Sequence, residues 1–369
     1  MSVRLRAVGI AGLTLVLFLL GAEASARLDD WVHQDTPLLA SPDRAHDLTM
    51  QDEYGIHGRP HGRFKKWTLN AFGFRSPAEM DSTPPSGVTR LLILGASETF
   101  GLHESPGKEY PAQLAEQLRQ EGIAEIEVVN AAMAGLTVHS QLPYWEQWAA
   151  QFRPQVVLLY PSPLFYLDDE PPHRWPRPSS PAQQGPAWAS RFGDRLRDRV
   201  RRIGPVRKLR LEWMLRGQSA GQSADWIYDD VPQDRLQFFL DDVAALARAV
   251  AARGARPVLL THAVKAGSPI RPEDQADVRE FRPFASRATE AVIVAFEDAA
   301  NAGLRRLAAD NHIPLVDVAA HLNGHRAWFA DLVHFNDVGA AEMARLLAAA
   351  LADPQRGLLP HRTQADGAP

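Results

Sequence analysis

Five short apolar runs, separated by segments with helical periodicity, limit the folds open to this chain more than any other feature. The first run, residues 91–94, has four consecutive apolar residues, which is typical of a strand buried inside a parallel sheet. Strands that alternate with helices predict a parallel sheet covered on both faces, because the crossover connections are right-handed. The pattern therefore predicts an α/β fold, a three-layer α/β/α sandwich around a parallel five-stranded sheet.

The predicted elements follow one another in a regular order. The strands are residues 91–94, 125–130, 155–160, 257–261 and 314–318, and the helices are residues 111–120, 140–151, 234–253, 289–310 and 337–351.

The first residues predict export. Arg4 and Arg6 precede an apolar run over residues 7–22, which is the charge order of a secretory signal. Small residues offer cleavage sites around residues 22–26, but the run is also close to the length of a membrane-spanning helix. We interpret residues 1–27 as a signal peptide or signal-anchor helix and favour the anchor. The body is then extracytoplasmic, either membrane-anchored or secreted into the periplasm or beyond.

The remaining chain divides into an extension, one domain and a tail. Residues 28–86 are polar and rich in Pro, Gly and His, and we expect them to pack on the domain, with a short strand and turn over residues 67–75. The domain covers residues 87–353. Residues 354–369 are predicted to be a disordered tail.

An insertion at about residues 171–230 interrupts the alternation. It begins with a Pro-rich loop over residues 171–186, and a basic stretch follows that Gly204 and Pro205 divide into two helices. We interpret the stretch as a solvated insertion that packs through its apolar residues. Contact of its positive face with anionic lipid headgroups or an acidic polymer stays open.

Composition excludes several kinds of chemistry. The chain has no cysteine, which excludes disulfides, a thiol nucleophile and cysteine metal sites. Its formal net charge of -4 gives no basic field for nucleic acid.

His57 and His61 stand four apart in a Gly- and Pro-rich segment that cannot present a helix face, so we predict a surface loop there. No metal or cofactor is expected.

Polar residues follow the first and last predicted strands. Ser97 lies just beyond the first strand, at the carboxyl edge where open α/β sheets bind ligands. Serine becomes a nucleophile only when a base can reach it. His334 follows the fifth strand, and Asp331 three residues earlier can fold back onto its Nδ1 and leave Nε2 free to accept a proton. The sequence therefore predicts a Ser97–His334–Asp331 triad.

The oxyanion of a tetrahedral intermediate needs hydrogen-bond donors. The backbone N–H of Ser97 is one candidate, and Gly135, after the second strand, is another because glycine permits close backbone approach. Asn130 can serve as a donor, although we favour a buried structural role for it. His103 is interpreted as a polar loop residue and not as a second base.

These motifs resemble those of SGNH (GDSL-type) hydrolases, and residues 70–75 resemble the lead-in segment of a membrane-anchored or secreted bacterial subgroup of that family. The resemblance covers about residues 90–351 and implies a flavodoxin-like sheet with metal-free serine ester hydrolysis or acyl transfer. It further implies that Ser97 is the nucleophile, His334 the base and Asp331 its orienting partner. The matching positions are Gly95, Ala96 and Ser97 with Gly101, then Gly135, then Asp331 and His334 with Asn336 and Gly339.

Two positions depart from the family pattern. Ala96 replaces the Asp of Gly-Asp-Ser. Pro163 stands where the family has the Asn of Gly-x-Asn-Asp, and proline supplies neither a side-chain donor nor an N–H. A third oxyanion donor is therefore missing or comes from elsewhere, for example from Ser162.

Three functions follow as hypotheses. The leading one is a serine esterase or acyltransferase that acts on small-molecule or polysaccharide O-acyl esters in the cell envelope. A second is a catalytically degenerate SGNH-like protein that binds a glycan or a partner, and a third is a lysophospholipase-like lipid esterase that uses the basic insertion near the membrane.

Overall fold

The computed structural model describes residues 3–34, 37–39, 48–52, 55–76, 80–168, 189–223 and 225–359. Its strands are β1 (Thr49–Asp52), β2 (Gly55–Gly58), β3 (Arg63–Phe64), β4 (Trp67–Thr68), β5 (Thr89–Leu94), β6 (Ile126–Asn130), β7 (Val156–Leu159), β8 (Arg256–Leu260) and β9 (Leu315–Val316). Its helices are α1 (Val3–Gln34), α2 (Ser97–Phe100), α3 (Tyr110–Gln120), α4 (Val138–Gln147), α5 (Arg191–Arg202), α6 (Gly204–Ser219), α7 (Gln233–Ala252), α8 (Gln275–Phe281), α9 (Glu290–Asp310), α10 (Val318–Leu322) and α11 (Asp337–Ala352).

The central sheet has the strand order β6-β5-β7-β8-β9, and all of its strand pairs are parallel. This confirms the predicted five-stranded parallel sheet. The last strand is shorter than predicted. It ends at Val316 because the next residue, Asp317, leaves the sheet and caps α10, where its carboxylate accepts a hydrogen bond from the Ala320 amide.

Two apolar cores cover the two faces of the sheet. In β5, Leu91 and Ile93 pack into the core formed with α3 and α11, whereas Leu92 and Leu94 pack into the core formed with α4, α7 and α9. Successive side chains of a strand point to opposite faces, so an unbroken apolar run is what a strand covered on both faces requires. The layers are those of the predicted three-layer sandwich.

The N-terminal helix α1 extends to Gln34, beyond the predicted end at residue 27. By length and composition it is able to cross a membrane, and none of its most apolar stretch is buried in the protein. The later part of α1 packs beside α5, and Ala26 is buried there. The predicted division of the basic stretch into two helices at Gly204 is confirmed by α5 and α6.

Two sequence expectations were wrong, and a third concerns residues outside those that the structure describes. His57 does not lie in a surface loop: it is buried in β2, its Nε2 is 2.9 Å from Oδ2 of Asp52, and its ring stacks on Trp148. The predicted disordered tail begins too early, because Leu358 is buried in the core beside α11, where an apolar side chain is stabilised. The Pro-rich loop over residues 171–186 lies outside the described residues.

Candidate active site

Ser97 lies beyond the carboxyl end of β5, an inner strand of the sheet. The strand ends at Leu94, and Ser97 is the first residue of the short helix α2 that follows the turn at Ala96. Its side chain is buried apart from a small exposed fraction of 7%. The fold therefore places this hydroxyl at the sheet edge that was predicted from the sequence.

The loop before α11 holds His334 and Asp331 in a fixed relation. Oδ1 of Asp331 accepts hydrogen bonds from the backbone amides of Val333 and His334, so the carboxylate folds back over its own turn. The Nδ1–H of His334 donates to the same carboxylate, at 2.9 Å from Oδ1 and 2.8 Å from Oδ2. Asn336 caps α11 by accepting hydrogen bonds from the amides of Val338 and Gly339, and this anchors the end of the loop.

The structure brings the three predicted triad residues together. Oγ of Ser97 lies 2.9 Å from Nε2 of His334, although 237 positions separate them in the chain. Burial lowers the pKa of His334, but the Asp331 hydrogen bond and the Glu98 charge outweigh burial and raise that pKa. Burial opposes the ionised form of Asp331, yet its hydrogen bonds to His103 and His334 hold the pKa of Asp331 well below its usual range. An ionised carboxylate that orients an imidazole is the arrangement that a serine nucleophile needs.

The predicted oxyanion-hole residues stand at the same edge. Gly135 lies in the turn after β6 with a φ of 87°, and its Cα faces open space. Asn130 is buried and donates from its side chain to the carbonyl of Thr99, which confirms the structural role favoured for it. Pro163 precedes a 3-10 turn over Leu164–Leu167. The hydroxyl of Ser162 donates to Glu98, at 3.0 Å from Oε1, so its proton is already engaged.

A buried polar network behind Ser97 is absent from the sequence prediction. Oε2 of Glu98 lies 3.3 Å from Oγ of Ser97, and Oε1 of Glu98 lies 3.3 Å from Nε2 of His262. Nδ1 of His262 is 2.8 Å from Oε1 of Glu297. Asn301 completes the network: its side-chain oxygen accepts from the amide of His262 and its side-chain nitrogen donates to the carbonyl of His262.

The network carries charge inside the protein. Burial alone would raise the pKa of Glu98, but the hydrogen bond and positive charge of His262 lower it to about 2. Burial opposes protonation of His262, and the neighbouring carboxylates Glu297 and Glu98 overcome this and raise its pKa to about 10. Glu98 is therefore a carboxylate and His262 an imidazolium at neutral pH. Buried charges of this kind persist only where they are paired.

Sequence signals for this network exist. Glu297 and Asn301 occupy an i, i+4 pair among the buried apolar positions of α9, and a polar pair in such a row indicates a partner in the core. His262 comes directly after β8, at the same edge of the sheet as Ser97.

The loop after α2 is fixed from two sides. The guanidinium of Arg75, in the N-terminal extension, donates to the carbonyls of Phe100 and Gly101 and to the carboxylate of Glu109. On the other side, the amide of Ser105 donates to Oδ1 of Asp337 at the start of α11. The loop that carries His103 is thereby tied to the helix that follows His334.

His103 and Glu104 lie in this loop, beside the triad. Nε2 of His103 is 3.3 Å from Oδ2 of Asp331, and its ring centroid is 5.0 Å from that of His334. His103 is a loop residue as predicted, but it contacts the triad, which the sequence does not indicate. Burial raises the pKa of Glu104 to about 7.

Among the described residues, one cluster has metal-ligand character. Ligand atoms of His103, Asp331 and His334 lie within 4.8 Å of one another. Two imidazoles and a carboxylate are ligands that zinc accepts. The same atoms of Asp331 and His334 form the contact that orients the imidazole toward Ser97, so the cluster already has a role in the triad geometry.

Comparisons with known proteins find solved structures that are similar to this chain. No protein-family model and no curated protein matches the sequence. The chain is similar in structure to a putative lipolytic protein of the G-D-S-L family from Desulfitobacterium hafniense, at 13% identity and a TM-score of 0.41, covering 71% of this chain and 99% of that one. It is also similar to a lipase/acylhydrolase from Enterococcus faecalis, at 12% identity and a TM-score of 0.44, covering 75% of this chain and 100% of that one.

An acetyl-xylooligosaccharide esterase from Geobacillus, solved as a mutant, is similar at 14% identity and a TM-score of 0.43, with 76% of this chain and 99% of that chain covered. At these identities and TM-scores, the interpretation of the site depends on the contacts of Ser97, His334 and Asp331 themselves. The chain is an α/β protein with a parallel five-stranded sheet, and a serine, a histidine and an aspartate meet at the carboxyl edge of that sheet.

Proposed function

We propose that this chain is a serine esterase or acyltransferase of SGNH type. The proposal depends on two hydrogen bonds of His334. Its Nε2 lies 2.9 Å from Oγ of Ser97, and its Nδ1 lies 2.8 Å from Oδ2 of Asp331. In this geometry Nε2 can accept the serine proton while the Asp331 carboxylate stabilises the imidazolium that forms.

The reaction runs in two halves. Oγ of Ser97 attacks the ester carbonyl as His334 takes its proton, and a tetrahedral oxyanion forms. The oxyanion collapses, the C–O bond to the alcohol breaks, and His334 gives its proton to that alcohol, which leaves an acyl group on Ser97. Water then attacks the acyl group with His334 as base, or an acceptor alcohol does so, and Ser97 is released with its proton.

Two backbone amides are the proposed oxyanion donors, those of Ser97 and Gly135. The positive φ of Gly135 permits the backbone conformation that such an approach needs. Pro163 and the engaged hydroxyl of Ser162 supply no third donor. The loss of one donor typically costs about 10²–10³ in rate, so we expect a slow enzyme.

The N-terminal apolar helix supports a substrate in the cell envelope. A chain that starts with a signal or anchor helix presents its domain outside the cytoplasm, where the esters within reach belong to the cell envelope. We propose short O-acyl groups on a polysaccharide as the substrate. A lysophospholipase-like activity is the alternative that the basic helices α5 and α6 favour.

The test uses the full chain in detergent micelles. Its hydrolysis of p-nitrophenyl acetate, butyrate and decanoate is compared with that of Ser97→Ala, and each protein is treated with a fluorophosphonate probe. We expect activity and labelling in the native chain and neither in Ser97→Ala. Ser162→Ala is the matched control, because it removes a buried hydroxyl in the same network and leaves the triad intact.

Each outcome has a clear meaning. Equal rates in the native chain and Ser97→Ala would exclude Ser97 from the chemistry. An unlabelled, inactive native chain would favour a binding protein, the function to which Pro163 and Ala96 point. A preference for decanoate over acetate would favour the lipid esterase.

A further inference from the structure

The helices α5 and α6 each carry exposed apolar side chains at helical spacing, which together are called the exposed strip. In α5, Leu196 and Val200 are an i, i+4 pair, and Ile203 follows at the junction. In α6, Val206, Leu209 and Trp213 repeat at i, i+3 and i+7. The six side chains are exposed, and Leu209 and Trp213 are exposed by 72% and 75%. A group of large exposed apolar side chains in two adjoining helices indicates a surface that contacts a partner.

Positive charge surrounds the strip. Residues 191–219 contain ten basic and three acidic residues. The three acidic residues are already paired, Asp194 with Arg197, Asp198 with Arg201 and Glu212 with Arg279. Within the part of the chain that the structure describes, Arg199, Lys208 and Arg210 have no ion-pair partner. An apolar strip flanked by unpaired basic side chains is typical of a helix that lies in a membrane interface.

The contact with α1 fixes where α5 must lie. Both carboxylate oxygens of Glu23 accept hydrogen bonds at the start of α5, from the amides of Arg191 and Phe192 and from the hydroxyl of Ser190. About two turns further along α1, Arg195 forms ion pairs with Asp29 and Asp30.

The apolar run of α1 ends where these contacts begin. Residues 7–22 span about 24 Å at 1.5 Å per residue, which is slightly less than the hydrocarbon thickness of a bilayer. In a membrane-spanning α1, Glu23 therefore lies at the level of the lipid headgroups, and Asp29 and Asp30 lie about 10 Å further out along the helix. Because the start of α5 is bonded to Glu23, α5 begins at the headgroup level too.

We propose that the exposed strip of α5 and α6 binds the surface of the bilayer that α1 crosses, and that the bilayer contributes anionic phospholipids. The apolar side chains enter the boundary between headgroups and acyl chains, and Trp213 occupies the depth that tryptophan prefers. The free basic side chains Arg199, Lys208 and Arg210 contact anionic headgroups. This surface is independent of the ester chemistry proposed above.

The absence of cysteine permits a direct test on the full chain. A nitroxide is attached to Leu209→Cys, and the protein is reconstituted into vesicles of phosphatidylcholine alone or mixed with phosphatidylglycerol. Collision rates of the nitroxide with oxygen, which concentrates in lipid, and with a nickel chelate, which stays in water, report its depth. Ala349→Cys is the matched control, since it is an exposed position on α11, which covers the other face of the sheet.

We expect a severalfold higher oxygen-to-nickel ratio at position 209 than at 349 in mixed vesicles, and a smaller difference in phosphatidylcholine. The double substitution Lys208→Glu and Arg210→Glu should reduce the ratio at 209, and Arg345→Glu on α11 should not. An unchanged far-ultraviolet circular dichroism spectrum shows that each variant is folded.

Two results would overturn the proposal. One is an aqueous ratio at both positions in mixed vesicles. The other is immobilisation of the label at 209 by soluble polygalacturonate but not by mixed vesicles, which would assign the surface to an acidic polymer.

Discussion

Nε2 of His262 lies 3.3 Å from Oε1 of Glu98. Glu98 follows β5, and His262 follows β8, which lies two positions away from β5 in the sheet. The contact keeps a carboxylate ionised directly beside the Ser97 hydroxyl and near His334. A negative charge at this position stabilises the imidazolium that forms when His334 takes the serine proton.

Glu98→Gln should therefore change the pH dependence of the reaction. The Glu98 charge is one of the causes that raise the pKa of His334, so its loss lowers that pKa. The acid limb of kcat/KM, which follows deprotonation of His334, should move to lower pH. Ser162→Ala removes a hydrogen bond from Glu98 but keeps its charge, and its acid limb should stay in place. An unshifted limb in Glu98→Gln would show that Glu98 has only a packing role.

Asp331→Asn should lower kcat by about 10²–10⁴, the range for loss of an oriented general base. The amide cannot stabilise the imidazolium, and the pKa of His334 falls because its main hydrogen-bond partner loses its charge. Steady-state kinetics with p-nitrophenyl acetate measures the effect. His103→Gln, which alters the other imidazole that contacts Asp331, should cost far less. Comparable losses in the two variants would mean that His103 shares the role of the base.

Glu104 should make the protein less stable as the pH rises. Burial raises the pKa of its carboxyl from an ordinary 4.5 to about 7, so the folded state binds this proton more tightly than the unfolded state. The associated penalty is absent below pH 4.5, grows between pH 4.5 and 7, and reaches up to about 3 kcal/mol above pH 7. The change in unfolding free energy that Glu104→Gln causes should therefore be more favourable at pH 8 than at pH 4. Urea unfolding at the two pH values measures the difference, and an equal effect at both would contradict it.

Gly339→Ala should disturb the loop that holds His334. A Cβ at this position would lie 1.9 Å from the carbonyl oxygen of Trp328, which is backbone and cannot move aside cheaply. We expect a loss of about 1–3 kcal/mol in unfolding free energy together with lower activity. Gly217→Ala is the control, because that helical glycine has open space around it. It should gain up to about 1 kcal/mol, and a neutral result for both variants would contradict the prediction.

The fold could be predicted because it depends on short-range patterns. The unbroken apolar run of β5 indicates a strand covered on both faces, and the 3.6-residue periodicity of α7 and α9 places helices against the sheet. Strand β9 was overestimated because a capping interaction of Asp317 competes with the sheet. The cap itself is a local contact, but the carboxylate of Asp317 also accepts hydrogen bonds from Thr261 and Arg305, and these partners leave no trace in the local pattern.

The site could be predicted only in part. Ser97, His334 and Asp331 stand at positions where chain topology alone brings them to one edge. Glu98 and His262 come together through pairing of β5, β7 and β8, and nothing near either residue in the sequence specifies a partner. His57 was misjudged for the same reason, because its stacking on Trp148 joins segments 91 positions apart.

The guanidinium of Arg75 reaches out of the N-terminal extension and holds the carbonyls of Phe100 and Gly101. A gene trimmed to begin at the first strand of the sheet would thus encode Ser97, His334 and Asp331, yet its product would lack both the Arg75 guanidinium that holds the turn after Ser97 and the Phe74 ring that packs in the core beside α4. A shortened chain that keeps this turn in place therefore has to start upstream of Arg75, in a segment that composition alone would mark as dispensable.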